Sequence, residues 1–502
     1  MRTWFLLAAG LAAAGALLAA CHSPAVPLPD GAVLARTHCA SCHALPEPSL
    51  LGKDAWREHV LPRMGYLYGI FPDTALRRQL LADTLGGQAV RAAGLFPPSP
   101  VIDTAVWNRI CAYYLAAAPD TLPRPAAAAP QPLTQFRVRI PAYRFSPPSS
   151  TMARFAPGGG ILLGDAHTGS IYQFDSQLNM RQAAALGEGP VWAEALSDAL
   201  LVTVMGSFSP TDAASGSVVA LSDRRQTVLG GLQRPVHTQT DDFNGDGKAD
   251  LLVCEFAKWT GKLAWWEFKG PGQFEPHVLR AGPGALRAYV RDFNRDQRPD
   301  IIALFGQGDE GVSIWYNEGH GVFREERVLR FPASWGSSFL DLVDFNGDGH
   351  EDLLYTAGDN ADYPPVLKPY HGIRIYLNDG QNRFTESFFY PMHGAYGAAA
   401  RDFDGDGDLD LAAVSFFPDF QQAPASGFLY LENRGAEGFV PFTFPEAVRG
   451  RWITLDAGDP DGDGDQDLLL GSMAFEVVPP SPLLGQWVEE GIPFVWLENR
   501  QK

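Results

Sequence analysis

The sequence predicts two folded units, a small helical one followed by a long all-β one, and three observations lead to that prediction. An acidic nine-residue segment that begins at Asp242 recurs at Asp292, Asp344, Asp402 and Asp459. Each copy leads into an apolar run and then a second run rich in aromatic and β-branched residues, which is typical of β-strands. Before these repeats, residues 30–118 contain helical patterns, and a Pro- and Ala-rich segment at 119–132 has the composition of a semi-rigid linker.

The first residues have the features of an export signal. Residues 1–20 carry one basic residue and then an apolar run that is too short and too rich in small residues to span a membrane. Leu18-Ala-Ala-Cys21 resembles the cleavage box of bacterial lipoproteins, which implies that Cys21 becomes the lipidated first residue. Residues 21–29 would then be the tether of an exported protein, anchored at the periplasmic face or the outer membrane. Ordinary secretory cleavage beside an incidental Cys is the alternative.

A Cys-x-x-Cys-His motif follows at Cys39, Cys42 and His43. It indicates covalent attachment of haem c, in which two thiols bond the porphyrin and the His is the proximal iron ligand. A structural zinc site needs two further ligands, and no second Cys pair is present. A thioredoxin-like pair would need a preceding strand, whereas Asp30 to His38 has the pattern of a short capped helix.

The distal iron ligand is predicted to be Met64, since it is the only Met between Cys42 and Met152. Packing in the core is the alternative role for Met64, and His59 is the competing ligand. Asp103 is predicted to cap a last helix, Thr104–Ala117. Residues 30–118 therefore resemble a small class I cytochrome c, an all-α domain whose implied activity is electron transfer.

The acidic repeats predict calcium sites in five places. Side-chain oxygens recur at positions 1, 3, 5 and 9, with Gly at position 6 in four copies, and such oxygen-rich loops suit Ca²⁺. Position 12 lacks the Glu of an EF-hand, and the loops lead into strands. Solvated turns are the alternative. The proposed ligands are Asp242, Asn244, Asp246, Asp250, Asp292, Asn294, Asp296, Asp300, Asp344, Asn346, Asp348, Asp352, Asp402, Asp404, Asp406, Asp410, Asp459, Asp461, Asp463 and Asp467.

Each repeat reads as about four strands, which is the content of a β-propeller blade. With their nine-residue loops, the units resemble the FG-GAP or VCBS repeats of bacterial propellers and of the integrin α head. That resemblance covers residues 133–502 and implies calcium binding and a seven-bladed ring. Two further units, Met152–Leu186 and Val191–Leu232, keep the strands but lack the carboxylates, so the expected total is seven. Residues 133–143 are predicted to complete the last blade, which would remove an exposed strand edge.

Composition and charge narrow the function. The net charge is −19, and the absence of a basic patch in the sequence argues against nucleic acid as a partner. No Gly-x-Ser-x-Gly or His-Glu-x-x-His motif is present. His237, His371 and His393 lie near predicted loops or inserts, and Arg291 and Arg401 directly precede metal loops, where they could face a central channel. We interpret each of them as a satisfied polar residue, in a turn or in a salt bridge to the metal carboxylates.

These features favour an exported, membrane-anchored c-type cytochrome whose propeller binds a redox partner protein, a small molecule or a glycan. An oxidoreductase whose haem accepts electrons from a small molecule or sugar is the first alternative. A surface protein that binds glycans or mediates adhesion is the second. The widest inserts, residues 356–370 and 474–492, are the expected places for recognition, because loops on a rigid scaffold often carry it.

Overall fold

The computed structural model describes residues 29–125, 128–361, 366–475 and 481–500. The predicted signal and lipidation site at Cys21 lie outside these residues. In the part of the chain that is described, no helix is both long enough and apolar enough to cross a bilayer.

Residues 31–117 form a helical unit. Its helices are α1 (Gly31–Cys39), α2 (Lys53–Ala55), α3 (Leu61–Leu67), α4 (Thr74–Leu80), α5 (Leu85–Ala93) and α6 (Thr104–Ala117), and a π-helical turn (Trp56–Val60) joins α2 to α3. The predicted cap of α6 is confirmed, because the Asp103 carboxylate accepts a hydrogen bond from the backbone N–H of Ala105.

The first and last helices of this unit cross in close contact. A Cβ atom on Gly31 would lie 2.7 Å from both the Arg109 carbonyl oxygen and the Tyr113 Cβ, so only glycine permits this approach. Beside the crossing, the rings of Trp56 and Tyr114 pack with their centroids 4.4 Å apart. The result is one apolar core that ties the motif-bearing end of α1 to α6.

The rest of the described chain is almost entirely β-structure. Two short strands, β1 (Gln131–Pro132) and β2 (Arg137–Arg139), precede the repeats. Blades 1 and 2 contain β3 (Ser150–Phe155), β4 (Ile161–Asp165), β5 (Ser170–Phe174), β6 (Met180–Ala185), β7 (Pro190–Ala195), β8 (Leu200–Val204), β9 (Gly216–Leu221) and β10 (Arg225–Leu232). Blades 3 and 4 contain β11 (Pro235–Asp241), β12 (Asp250–Glu255), β13 (Lys262–Gly270), β14 (Gln273–Ala281), β15 (Ala285–Arg291), β16 (Asp300–Phe305), β17 (Gly311–Gly319) and β18 (Val322–Arg330).

The remaining blades follow the same order. Blade 5 contains β19 (Ser337–Val343), β20 (Asp352–Ala357), β21 (Gly372–Asn378) and β22 (Phe384–Pro391). Blades 6 and 7 contain β23 (Ala395–Arg401), β24 (Asp410–Ser415), β25 (Phe428–Asn433), β26 (Phe439–Thr443), β27 (Trp452–Gly458), β28 (Asp467–Ser472) and β29 (Phe494–Glu498). A further helix, α7 (Leu484–Glu490), precedes β29.

The seven sheets formed by the described strands make a closed seven-bladed propeller, as the sequence predicts. The first strand of each blade contacts the first strand of the next, and β27 of blade 7 contacts β3 of blade 1. These first strands therefore line the centre. The second strand of most blades is buried along its whole length, because it packs between neighbouring sheets.

An N-terminal strand completes blade 7. The short strand β2 pairs antiparallel with β29, with Arg137 opposite Glu498 and Arg139 opposite Trp496. The Arg139 guanidinium lies 4.1 Å from the Trp496 ring centroid and donates to the Glu498 carboxylate at 3.1 Å. Strand β1 adds in parallel to β26 of blade 6, so that sheet has five strands. The two ends of the propeller thus meet through main-chain hydrogen bonds.

Neighbouring blades approach so closely at some points that only glycine fits. Gly358 follows β20 of blade 5 and faces the start of β23 in blade 6. A Cβ atom on Gly358 would lie 2.1 Å from the Ala395 carbonyl oxygen and 2.3 Å from the Ala395 amide nitrogen. Both neighbours are backbone atoms, so the side chains cannot relieve the overlap.

We therefore expect Gly358→Ala to lower the free energy of unfolding by about 1–3 kcal/mol, because the added methyl group pushes two blades apart. The matched control is Gly485→Ala in α7, where a Cβ atom meets nothing within 4 Å. That change should leave stability unchanged or raise it by up to about 1 kcal/mol. Urea unfolding followed by circular dichroism measures both. Equal stabilities of the two variants would contradict the proposed blade contact.

Candidate functional site

The propeller has two chemically different faces. The acidic loops connect the first and second strands of blades 3 to 7, for example residues 242–249 between β11 and β12. Because every first strand runs in the same direction, all five loops emerge on one face, which we call the acidic face. The connections between second and third strands emerge on the other face, which we call the connector face.

Each acidic loop gathers its oxygens around backbone N–H groups. In the first loop, the Asp242 carboxylate accepts hydrogen bonds from Gly245 and Gly247, each at 2.8 Å. The Asn244 side-chain oxygen accepts from the N–H of Asp246 at 2.9 Å. The loop beginning at Asp402 repeats the pattern with its own glycines. The loops are therefore folded turns that bring positions 1, 3 and 5 together.

Two loops bring three carboxylates close enough to share an ion. Ligand oxygens of Asp402, Asp404 and Asp406 lie within 4.8 Å of one another, and so do those of the equivalent set, Asp459, Asp461 and Asp463. The other three loops have Asn at position 3, whose amide oxygen accepts from the N–H of position 5 in the same way. Carboxylate and amide oxygens both suit Ca²⁺.

Two loops also hold a basic side chain against position 5. Lys248 donates to the Asp246 carboxylate at 3.0 Å, and Arg298 donates to the Asp296 carboxylate. In the second loop, Arg295 and Gln297 adopt left-handed φ values of 62° and 68°, where other loops have Gly. An internal cation competes with a metal ion for the same oxygens, so these are the weaker candidates.

Position 9, a predicted calcium ligand, also has a structural role. The Asp residues at this position are buried: Asp250, Asp300, Asp352, Asp410 and Asp467. One oxygen of each accepts the backbone N–H at the end of its blade's third strand, at 2.7–2.8 Å; these donors are Phe268, Asn317, Asn378, Asn433 and Asn499. We call each such carboxylate a strand clamp, because it joins its loop to a strand.

The second oxygen of each clamp is also engaged. In four blades it accepts the N–H of position 2, from Phe243, Phe293, Phe345 or Phe403. The fifth loop has Pro460 at this position, which has no N–H, and the Trp496 indole donates to Asp467 instead, at 2.9 Å. Burial raises the pKa of Asp467 to about 7 and that of Asp410 to about 6, while these hydrogen bonds act in the opposite direction.

We expect Asp352→Ala to lower the free energy of unfolding by about 2–4 kcal/mol even without calcium, because two buried backbone donors lose their acceptor. Asp348→Ala, at exposed position 5 of the same loop, is the matched control. It should leave stability in chelator unchanged and reduce only the stabilisation that added calcium gives. Urea unfolding with calcium and with excess chelator separates these effects. Equal losses for both variants in chelator would contradict the clamp role.

The thiols of the Cys-x-x-Cys-His motif lie at the end of α1. Cys39 is the last residue of that helix and is buried, Cys42 is exposed, and both are free thiols. Burial, together with the nearby Cys42, raises the pKa of the Cys39 thiol to about 11. His43 is half-buried, and its Nδ1 lies 2.8 Å from the Ala44 carbonyl oxygen.

These residues fit covalent haem c. With a proton on Nδ1, His43 donates to the Ala44 carbonyl, which leaves Nε2 as the iron-binding nitrogen. Met64 lies on α3 and packs against the apolar cluster that contains Cys39, so the sequence-predicted distal residue is near the motif. The competing ligand, His59, lies in the π-helical turn just before α3. Both distal candidates therefore lie on neighbouring turns of one continuous helical segment.

The helical unit rests on the connector face of the propeller. Ala44, directly after the motif, forms a β-bridge with Pro332 between blades 4 and 5. The Tyr370 hydroxyl donates to the Leu50 carbonyl oxygen at 2.9 Å, and the Phe96 ring packs edge-on against Trp259 with centroids 5.1 Å apart. The Cys-x-x-Cys-His motif is therefore at the contact between the two units, on the face opposite the acidic loops.

A central cavity of about 300 Å³ opens near this contact. Its lining residues all belong to the propeller. Lys258, which precedes the contact residue Trp259, and Pro210 belong to its rim of connector loops. Further in, Arg154, His237 and Arg287 line it from the first strands of blades 1, 3 and 4.

The sequence interpretation of His237 was wrong, whereas Arg291 and Arg401 are satisfied polar residues as interpreted. His237 is buried in strand β11 at the centre of the ring and not in a loop. Arg291 is exposed and donates to Glu351 at 3.1 Å, and Arg401 donates to the neighbouring Ala400 carbonyl oxygen, so neither lines the cavity. The strand register could have revealed the position of His237, because alternate side chains of each first strand face the centre of the ring.

Comparison with known proteins supports the repeats. A family profile described as FG-GAP-like repeat matches residues 242–303, 292–355 and 366–413. The chain thus contains FG-GAP-like repeats within a seven-bladed propeller, which confirms that part of the resemblance drawn from the sequence.

Solved structures similar to this chain share little sequence with it. Saccharomyces cerevisiae Sqt1 is 8% identical, with 74% of this chain and 100% of that chain covered and a TM-score of 0.42. BBS1N, solved in complex with ARL6DN, is 11% identical, with 74% and 99% covered and a TM-score of 0.43. YCF48, solved bound to a D1 peptide, is 9% identical, with 76% and 100% covered and a TM-score of 0.43.

Proposed function

We propose that this protein is an exported, membrane-anchored c-type cytochrome that transfers electrons through covalent haem, with a calcium-stabilised propeller as its binding platform. The observation that carries the proposal is the motif of Cys39, Cys42 and His43 at the contact with the propeller. Free thiols, a His whose Nδ1 meets a backbone carbonyl, and a nearby Met match the needs of haem c.

A haem bound here would supply one-electron exchange. The residues around it have separate tasks in this proposal. Cys39 and Cys42 hold the group covalently, and the Ala44 carbonyl fixes the orientation of the His43 ring. Met64 would raise the reduction potential relative to His59 in the same role.

Calcium is proposed for the acidic face. The loops beginning at Asp402 and Asp459 are the strongest candidates, because three carboxylates converge in each without an internal cation on position 5. The loops beginning at Asp242 and Asp292 are the weakest, because Lys248 and Arg298 already neutralise position 5. Bound calcium would stabilise the propeller by mass action.

Anchoring through Cys21 completes the proposal. A lipid at Cys21 and a Pro-rich tether would hold the protein at the periplasmic face or outer membrane of a bacterium, within reach of redox partners. This part of the proposal rests on the sequence alone, namely on the resemblance of residues 18–21 to a lipoprotein cleavage box.

The direct test is the reduced-minus-oxidised absorption spectrum of protein produced with a haem-attachment system. We expect the bands of a c-type haem that stays bound after denaturation, because thioether bonds hold it. Cys39→Ala should weaken the absorption bands of covalently bound haem. The double variant, Cys39→Ala with Cys42→Ala, should abolish them. Cys111→Ala, a half-buried Cys of α6 outside the motif, is the matched control and should keep them.

The same preparation identifies the distal ligand. Loss of a methionine-ligand absorption band in Met64→Ala, but not in His59→Ala, would assign Met64. A wild-type protein that carries no covalent haem although it folds would overturn the proposed function.

An oxidoreductase is the second candidate, and the central cavity favours it, because it opens beside the unit that carries the Cys-x-x-Cys-His motif. The haem spectrum distinguishes the two. An enzyme would be indicated if reduction of the haem depends on an added small molecule and is lost when cavity residues are substituted. Reduction only by protein or artificial donors would favour an electron carrier.

A further inference from the structure

The deep part of the central cavity holds two guanidinium groups without ion pairs. Arg154 donates to the Ala193 carbonyl oxygen at 2.8 Å, and Arg287 donates to the Tyr289 hydroxyl at 2.6 Å. Among the described residues, neither forms a salt bridge. Both side chains are half-buried, and within the described residues their other N–H groups form no hydrogen bond. Glu194, Asp341 and Asp456 act on the two guanidinium groups electrostatically but do not bind them directly. The unbonded N–H groups are therefore available to an acceptor that enters the cavity.

Other polar atoms of the cavity are unpartnered as well. His237 is 2% exposed, and within the described residues neither of its ring nitrogens has a hydrogen-bond partner. The buried indole N–H of Trp192 also has no hydrogen-bond partner among the described residues. The ring centroids of His237 and Trp192 lie 4.2 Å apart. Burial and the two nearby arginines lower the pKa of His237 well below its usual value, so the ring is neutral and offers one donor and one acceptor.

The nearby carboxylates are occupied by other contacts. Asp456 accepts a hydrogen bond from the Phe155 N–H at 2.8 Å, and Asp341 accepts from the Tyr289 hydroxyl at 2.8 Å. Among the charged residues that line the cavity, four are basic and two are acidic: Arg154, Arg234, Lys258, Arg287, Asp359 and Asp456. Glu194 and Asp341, just behind the lining, also act on Arg154 and Arg287, so the charges around the cavity are close to balanced. The site therefore offers a ligand hydrogen-bond donors on charged groups, and not a net positive charge.

The geometry around Trp192 decides which kind of ligand fits. The Arg154 and Arg287 guanidinium carbons lie 3.9 Å and 5.0 Å from its ring centroid. These cations occupy the aromatic surface on which a sugar ring would stack. A guanidinium whose flat face packs on an aromatic ring still has its N–H groups free at its edge. Two of these N–H groups can bind one carboxylate with two hydrogen bonds. Nearer the rim the walls are apolar, with Met205, Phe339 and Phe416.

We infer that the central cavity binds a small organic carboxylate with an apolar, ring-sized body, whose anionic end meets Arg154, Arg287 and His237. The cavity volume of about 300 Å³ is at the lower end of small-molecule sites. This inference concerns the propeller and holds whether or not the helical unit carries haem.

The test is calorimetric titration of the full chain with benzoate and with benzamide, which has the same shape but no charge. We expect benzoate to bind at least about tenfold more tightly, because only it forms charge-assisted hydrogen bonds. Arg154→Gln and Arg287→Gln should each weaken benzoate binding at least about tenfold. Arg291→Gln, on the same strand as Arg287 but outside the cavity, should leave it unchanged.

The comparison of the two ligands on the unmodified protein does not depend on any variant folding. Absence of binding by benzoate, phenylacetate and cinnamate up to about 10 mM would overturn the inference, since even a millimolar site would be detected. Equal affinities for benzoate and benzamide, or equal losses in Arg287→Gln and Arg291→Gln, would also overturn it. Binding of inorganic phosphate without any binding of benzoate would assign the site to inorganic anions instead.

Discussion

The structure depends on a buried carboxylate that ends each acidic loop and ties it to a strand. Asp352, for example, accepts one N–H from its own loop, at Phe345, and one from the end of its blade's third strand, at Asn378. Burying a carboxylate is costly, and two backbone hydrogen bonds offset that cost. The clamp therefore holds the loop to the blade through contacts that include no ion.

The same contacts connect neighbouring blades. The Asn317 side chain donates to the Phe243 carbonyl oxygen of the preceding blade at 2.9 Å, and Asn499 donates to the Phe403 carbonyl oxygen at 2.8 Å. At these two clamps, the residue whose backbone N–H binds the carboxylate also joins two blades through its side chain; Asn378 and Asn433 instead donate within their own blades. The contacts of Asn317 and Asn499 tie neighbouring blades together on the acidic face. The helical unit, the cavity mouth and the described parts of the two long inserts all lie on the connector face.

The sequence predicted the parts of the structure that repeat. Five acidic loops in register predicted the blades, whereas haem attachment at Cys39, Cys42 and His43 stays a prediction. The sequence did not separate the clamp at position 9 from the ion-facing positions, because all four are oxygen-bearing residues of one type. Only burial distinguishes Asp352 from Asp348.

Long-range contacts had no signal in the sequence. His237 and Arg287 come together only when blades 3 and 4 pack, and Arg154 of blade 1 joins them only when the ring closes. The docking of Phe96 on Trp259 likewise depends on the position of the helical unit. The parallel addition of β1 to blade 6 was not predicted either, because a short segment beside a Pro-rich linker has no strand periodicity.

Hydrogen exchange at the clamp donors tests this account most directly. We predict that the amides of Phe268, Asn317, Asn378, Asn433 and Asn499 exchange among the slowest in the protein, through global unfolding, in calcium and in excess chelator alike. Such a result would show that the clamps, and not the ions, hold the repeats. Rapid exchange of these amides in chelator, with the circular dichroism of the folded propeller retained, would contradict it.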